Sequence, residues 1–322
     1  MLTDIIIVNW NAGLQLAALV NSIILHHSNL VSSVVIVDNA STDNSLARIK
    51  ETTDVPFLLH IIQNTENRGF SAACNQGAAL ASSEYLLFLN PDTRLFKNSL
   101  SAPLEFMQRP ENIDVGIIGI QLIDDQNHVS RSCARFPSLS IFIAYTLGLN
   151  HLHGLQHLNL HMSNWTHDRT KRVDHVIGAF YLIRYSLFES LGGFDERFFV
   201  YLEDLDLSLR AHQSGWRSIY FSEAQAFHAG GGTSQQVQAH RLFYSLRSRL
   251  LYGFKHFTPW QAWTLLTVML ILEPISRSIY SLLRGKTQDF HNTWHAYKML
   301  YVNVIQILRI SSLKKNSRGL ND

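Results

Sequence analysis

Three acidic residues fall within four positions in Leu202-Glu203-Asp204-Leu205-Asp206-Leu207, after the aromatic run Phe198-Phe199-Val200-Tyr201 and the turn Gly192-Gly193-Phe194-Asp195-Glu196. Carboxylates flanked by aromatic and leucine side chains belong to a pocket wall, where an ionised Asp or Glu can take a proton or hold a metal. A helix starting near Leu202 and ending at Gln213 before Gly215 would place all three acids in its first turn, where the macrodipole favours negative charge. That structural role alone would account for Glu203 and Asp206. For Asp204 the sequence offers both roles, and the other motifs decide between them.

Three further motifs share one design, an apolar strand ending in polar residues. Val37-Asp38-Asn39-Ala40-Ser41-Thr42-Asp43 either caps a helix or aims Asp38 at the imide N–H of a pyrimidine base. In Asn67-Arg68-Gly69-Phe70-Ser71-Ala72-Ala73, Gly69 lets the backbone approach a ligand and Arg68 offers a planar cation to a base or diphosphate. The small residues that follow would pack a helix tightly on a sheet. Leu89-Asn90-Pro91-Asp92-Thr93 is a turn that also projects Asn90 and Asp92 from a strand end. There Asp92 could serve as an oxygen ligand for a hard divalent cation bridging two phosphates.

The elements that must position these residues follow from periodicity. Strands are predicted at Ile5 to Val8, Val34 to Val37, Phe57 to Ile62 and Tyr85 to Leu89, with helices from Leu14 to Ile24 and from Ala72 to Ala81. This alternation is that of a parallel α/β unit, in which ligands bind beyond the carboxyl ends of the strands. Further on, Val115 to Ile120 and Val176 to Ile183 read as buried strands, and Leu149 to His175 as a variable loop or short helices. Within that loop His153, His157 and His161 have helical spacing, but no carboxylate or cysteine completes a zinc site, and a solvated or acceptor-facing loop is the expectation.

A chain of 322 residues is long enough for one domain with a substantial extension, and a net charge of +2 is too small for an electrostatic nucleic-acid binder. The two cysteines, Cys74 and Cys133, lack CxxC spacing and form no disulfide framework, which fits a reducing cytosol. The opening Leu2 to Val8 lacks the basic region of a signal peptide and reads as a first strand. After Gly230 the character becomes basic and aromatic. The uncharged run Phe257 to Leu272 falls short of the ~20 residues of a spanning helix and is expected to close at Glu273-Pro274. Trp260 and Trp263, with Arg241, Arg247, Arg249, Lys255, Arg277 and Arg284 around the run, suit a monotopic anionic membrane surface, and a helical cap on the catalytic domain is the alternative.

Taken in order, Val-Asn-Trp-Asn, Val-Asp-Asn-Ala-Ser-Thr-Asp, Asn-Arg-Gly-Phe, Asn-Pro-Asp, Gly-Gly-Phe-Asp-Glu, Glu-Asp-Leu-Asp and His-Ala-Gly-Gly resemble the inverting family 2 glycosyltransferases, and among them the bacterial rhamnosyltransferases. The resemblance, which spans roughly residues 3 to 255, implies a GT-A fold, a Rossmann-like mixed α/β sheet flanked by helices, over residues 1–255, and the composition of 256–322 adds a helical, membrane-associating extension. It implies that Asn9, Asn11, Asp38, Arg68, Gly69 and Asn90 bind the donor, that Asp204 is the catalytic base, and that Glu203 and Asp195 face the acceptor. Asp92 and His228 would hold Mg²⁺ or Mn²⁺. Asn90 stands where the family's metal motif usually has Asp, which removes one charge from that site.

The activity so implied is transfer of L-rhamnose from dTDP-rhamnose to a lipid-linked or polysaccharide acceptor in cell-envelope glycan synthesis, on the cytoplasmic face of the membrane. Two other readings are a UDP-hexose donor and a non-catalytic nucleotide-sugar-binding scaffold.

Overall fold

The apolar runs of the first third fold as strands, and the computed structural model describes residues 2–50, 55–149, 154–230 and 238–312. The first strands are β1 (Thr3–Asn9), β2 (Val31–Asp38), β3 (Leu58–Gln63), β4 (Tyr85–Leu89), β5 (Thr93–Leu95) and β6 (Val115–Ile123). After them come β7 (Cys133–Ala134), β8 (Lys171–Val173), β9 (His175–Val176), β10 (Phe180–Arg184) and β11 (Arg217–His228). The helices are α1 (Leu14–His27), α2 (Ser45–Lys50), α3 (Phe70–Ala78), α4 (Ser101–Gln108), α5 (Leu139–Thr146) and α6 (Tyr185–Ser190). They continue with α7 (Glu203–Gln213), α8 (Gln238–His256), α9 (Pro259–Thr267), α10 (Glu273–Leu283) and α11 (Thr287–Ser312). The chain divides into two compact units, one of Met1–Phe136, Asn164–Glu196 and Glu203–Thr233, the other of Pro137–Ser163, Arg197–Leu202 and Ser234–Asp322.

The second unit is helical. The helix that carries its uncharged run does not stop at Glu273-Pro274: α9, a π-helical turn over Val268–Leu272 and α10 continue as one helix of 25 residues, Pro259–Leu283, in which an 18-residue stretch has a mean hydropathy of 1.4. Two local solutions carry the helix through. Pro274 has no N–H for the carbonyl of Leu270, and the Tyr301 hydroxyl donates to that oxygen instead, at 2.8 Å. Glu273 is fully buried and its carboxylate accepts from Arg249 at 2.6 Å and from Arg277 at 2.9 Å. By length and composition this helix could cross a membrane. Trp260, Trp263, Ile275, Ile279, Leu282 and Leu283 are exposed along it.

The helical spacing of the histidines does not put His157 and His161 on one helix. His157 lies in a single 3₁₀ turn, Gln156–Leu158, followed by extended backbone at Asn159, so it shares no helix with His161, and His153 lies outside the described residues.

The first unit is built on a mixed sheet in the order β3-β2-β1-β4-β10-β6-β11-β5, with β8 added against β11. The first four strands are parallel, in a register that sets Asn9 opposite Asp38 and Ile7 opposite Leu89, so their carboxyl ends share one edge. Every residue of β1 is buried, as expected of a parallel strand covered on both faces. Asp4 at its start is satisfied by the Ser33 hydroxyl at 2.6 Å and by the Ser82 and Ser83 amides at 2.7 and 2.8 Å.

The predicted strand Val176 to Ile183 is broken. Residues 175–176 pair with β7 in a separate two-stranded sheet, whereas residues 180–184 join the main sheet, and Ile177-Gly178-Ala179 link the two. The break occurs because the Gly178 N–H donates to a side chain, the Asp204 carboxylate, at 2.7 Å.

Helix α3 lies close on the sheet because its residues are small. A Cβ at Gly77 would stand 2.6 Å from Ile6 Cγ2 and 3.2 Å from Val37 Cγ2, both on β-branched side chains with no freedom to retreat. Gly77→Ala is therefore expected to destabilise the protein by about 1–3 kcal/mol, read as a lowered denaturation midpoint.

Candidate active site

The site is assembled at the carboxyl edge of the parallel strands. Asn9 is completely buried, and its amide donates to Asp38 Oδ1 at 2.7 Å, Ser45 Oγ at 2.8 Å and Ser41 Oγ at 3.1 Å. This gives Asn9 the task of orienting Asp38, whose Oδ2 also accepts from the Ser41 N–H at 3.2 Å. Asn11 takes a left-handed φ of 52° and accepts from the Thr42 N–H at 2.7 Å, which ties the loop after β1 to the loop after β2.

Asn39, unmarked in the sequence reading, organises the next loop. Its side chain is buried. Its Nδ2 donates to Asn67 Oδ1 at 2.9 Å and the Gly69 carbonyl at 3.1 Å, and its Oδ1 accepts from the Arg68 N–H at 3.0 Å and Asn64 Nδ2 at 3.2 Å. The Arg68 side chain is left exposed beside the end of β2. Gly69, with φ 86° and ψ 165°, precedes α3 in a conformation that only glycine takes up readily.

Asn90 and Asp92 occupy a turn closed by Thr93, whose N–H and Oγ1 donate to the Asn90 carbonyl at 3.2 and 2.7 Å. Antiparallel pairing of β5 with β11 sets His228 opposite Thr93, and this brings His228 Nε2 to 3.4 Å from Asp92 Oδ1. Both side chains are mostly buried. One carboxylate oxygen and one imidazole nitrogen, side by side, fit a divalent cation that takes its remaining ligands from phosphates and water. Among the described residues no group of three or more His, Cys, Asp and Glu could hold a metal alone, so ligands from outside the protein would have to complete the site.

The acidic cluster opens α7, as its sequence predicts. Tyr201 and Leu202, with φ of 69° and 65°, turn the chain into it through left-handed conformations that are costly for such residues. Asp204 Oδ1 accepts from the Leu205 N–H at 2.8 Å, and Oδ2 accepts from Gly178 at 2.7 Å and lies 3.5 Å from His175 Nε2. Burial would raise this carboxyl, but the His175 imidazole and the two backbone N–H groups outweigh it and hold Asp204 below its usual range. Glu203 behaves oppositely. Burial and the charge of Asp204 push its carboxyl well above the ordinary value, and its Oε2 has no hydrogen-bond partner. Burial and charge thus drive the two neighbours apart, Asp204 toward its ionised form and Glu203 toward its neutral one.

Asp206 forms a buried ion pair with Arg210 at 2.8 Å, and Arg210 donates to the carbonyls of Leu191 and Gly193 at 2.7 and 2.8 Å. Asn75 of α3 binds both backbone groups of Phe194 at 2.9 Å and Glu196 at 3.0 Å, and a Cβ on Gly193 would collide with it. These bonds fix the segment that carries the buried Asp195. The Asn90-Asp92 turn and Asp204 meet at adjacent residues: the Ala179 carbonyl accepts from the Asn90 N–H at 3.1 Å, while Gly178 donates to Asp204.

Comparison with known proteins agrees with this architecture. The profile of glycosyl transferase family 2 matches residues 4–191, a range that includes Asn9, Asp38, Arg68, Asn90 and Asp92 and ends before α7. The chain is 25% identical over 289 residues to the N-acetylglucosaminyl-diphospho-decaprenol L-rhamnosyltransferase of Mycobacterium tuberculosis, covering 81% of this chain and 88% of that protein. It is 33% identical over 152 residues to Rhamnosyltransferase WbbL of Escherichia coli (strain K12), covering 46% and 52% of the two chains. Among solved structures, the mannosyltransferase PcManGT of Pyrobaculum calidifontis, in complex with GDP-Man and Mn²⁺, superposes with a TM-score of 0.54 at 15% identity, over 93% of this chain and 75% of that one. S. aureus TarS 1-349 in complex with UDP-GlcNAc gives 0.52 at 14% identity, over 93% and 92%. At these identities the likeness to solved structures is one of fold, a GT-A arrangement.

Asn39→Ala is expected to destabilise the protein by about 1–3 kcal/mol, because it strands buried donors and acceptors. Hydrogen–deuterium exchange should show the Arg68 amide exchanging faster, with little change in the amides of β1.

Proposed function

The chain belongs to glycosyl transferase family 2, and from that premise we propose that it moves L-rhamnose from dTDP-rhamnose, with inversion, to a lipid-linked or polysaccharide acceptor in cell-envelope glycan synthesis. The observation that carries the reading is Asp204: an ionised, partly accessible carboxylate at the start of α7, linked through Gly178 and Ala179 to the Asn90-Asp92 turn. The rhamnose donor is supported by the similarity to the mycobacterial and Escherichia coli rhamnosyltransferases, and the lipid-linked acceptor by the name of the former.

In this reading Asp38 accepts from the base, Arg68 and the Gly69 backbone approach the diphosphate, and Asn9 and Asn11 hold those loops in place. Asn90 accepts from a ribose hydroxyl. A divalent ion, Mg²⁺ or Mn²⁺, held by Asp92 and His228, would neutralise charge on the departing nucleoside diphosphate. Asp204 takes the proton of the acceptor hydroxyl as its oxygen attacks the anomeric carbon, in a single displacement. Glu203 and Asp195 stand on the acceptor side, the former neutral and able to donate a hydrogen bond. Catalysis is assigned to residues 1–255. The extension 256–322 would rest on the inner face of the cell membrane through Trp260, Trp263 and the apolar residues that follow them.

Three outcomes are expected. Asp204→Asn should lower kcat by ~10²- to 10⁴-fold while dTDP-rhamnose still binds, and full activity in that variant would sink the base assignment. Across a donor panel with Mg²⁺ or Mn²⁺, release of TDP from dTDP-rhamnose should exceed release of UDP from UDP-hexoses; the reverse order would replace the donor. The full-length protein should float with anionic liposomes, and Trp260→Ala with Trp263→Ala should leave most of it at the bottom of the gradient.

A further inference from the structure

Behind Asp204 lies a polar chain inside an otherwise apolar core. The Tyr181 hydroxyl is 2.9 Å from Ser208 Oγ, Ser208 Oγ is 3.0 Å from His175 Nδ1, and His175 Nε2 is 3.5 Å from Asp204 Oδ2. Tyr181 and Ser208 are fully buried, and the His175 side chain is 3% exposed against 17% for Asp204. At first sight the set has the composition of a serine nucleophile with its histidine and aspartate. The burial runs the other way: Ser208 is sealed in the core and Asp204 is the end that reaches the site.

One proton order leaves no hydroxyl idle: the Tyr181 hydroxyl donates to Ser208 Oγ, and Ser208 donates to His175 Nδ1, which puts a proton on Nε2. The opposite tautomer would aim the Nε2 lone pair at a carboxylate. At 3.5 Å the final contact is longer than a formed hydrogen bond, as is common for catalytic contacts before substrate binds.

We propose that Tyr181, Ser208 and His175 are positioning residues, a buried hydrogen-bond chain that holds the Nε2 proton of His175 on Asp204 Oδ2 and so makes Asp204 the base. The inference rests on the reading of Asp204 as the proton acceptor and deepens it. Other titratable groups around the carboxylate oppose its charge or lend it nothing: burial and the charge of Asp204 push Glu203 on the same helix toward its neutral form, and the thiol of Cys74 on α3 is pushed well up by burial and by the two acids. Besides His175, the donors to the carboxylate are the fixed N–H groups of Gly178 and Leu205. His175 is thus the replaceable element that favours ionisation of Asp204 over Glu203.

The test is the pH dependence of kcat/KM in the full-length enzyme between pH 5 and 9, with thermal unfolding measured on the same preparations. A group held below its usual range stays ionised as pH falls, so the wild-type profile should be flat down to pH 5. His175→Leu should move the acidic limb upward by about 1–3 pH units, and His175→Gln, which keeps an N–H near the position of Nε2, should leave it near wild type. Ser208→Ala, a small change in a buried site, should move the limb in the same direction and stands in for His175→Leu if that variant does not fold. An unchanged limb in these variants, with Asp204→Asn inactive, would overturn the chain and leave the base assignment standing. An active Asp204→Asn would overturn both.

Discussion

The break in the chain at Gly178 is the constraint on which the site depends. An uninterrupted strand from Val176 to Ile183 would put the Gly178 N–H into a sheet ladder; instead the strand divides between two sheets and that N–H turns to Asp204. The absence of a Cβ eases the approach, since a Cβ there would sit 3.2 Å from Asp204 Oδ2 and the carboxylate would have to give by a few tenths of an ångström. One residue later, Ala179 holds the Asn90 amide. Two adjacent backbone groups therefore set the spacing between the carboxylate of α7 and the turn that carries Asp92, and neither can move without the other.

Electrostatics then separates residues that look alike. Glu203, Asp204 and Asp206 are three acids in the first turn of one helix, and all enjoy the same helix dipole. Their surroundings give them different states. Asp206 is paired with Arg210, Asp204 is pushed toward ionisation by the imidazole and N–H donors that outweigh its burial, and Glu203 is pushed toward its neutral form by burial and by its neighbour's charge. The left-handed turn at Tyr201 and Leu202 is the local strain that accompanies this placement.

Asparagine does much of the loop work. Asn9, Asn39 and Asn75 each reach from one element to the backbone or side chains of another, Asn9 through its Nδ2 and Asn39 and Asn75 through both ends of the amide. An amide can bracket a loop in this way without adding charge at the strand ends. The same economy holds in the helical unit, where Tyr301 replaces the hydrogen bond that Pro274 cannot make.

The alternating apolar strands, the crossover helices, the start of α7 and the polar residues at strand ends were legible in the sequence, because each depends on local periodicity or on a short motif. Asp38, Arg68, Asn90, Asp92 and Asp204 could be singled out for that reason. The continuation of the apolar helix past Glu273 was not legible, since it needs Arg249, Arg277 and Tyr301 from elsewhere in the chain. Nor did the sequence show that its histidines at helical spacing share no helix. His175 carried no local signal at all: it lies in an irregular histidine-rich stretch and meets Asp204 and Ser208 only when β9 packs beside α7. The sequence by itself determined the family-like order of motifs, the α/β architecture and which side chains end the strands. Only the tertiary structure decided which acid is ionised and what stands behind it, because protonation depends on burial and on partners distant along the chain.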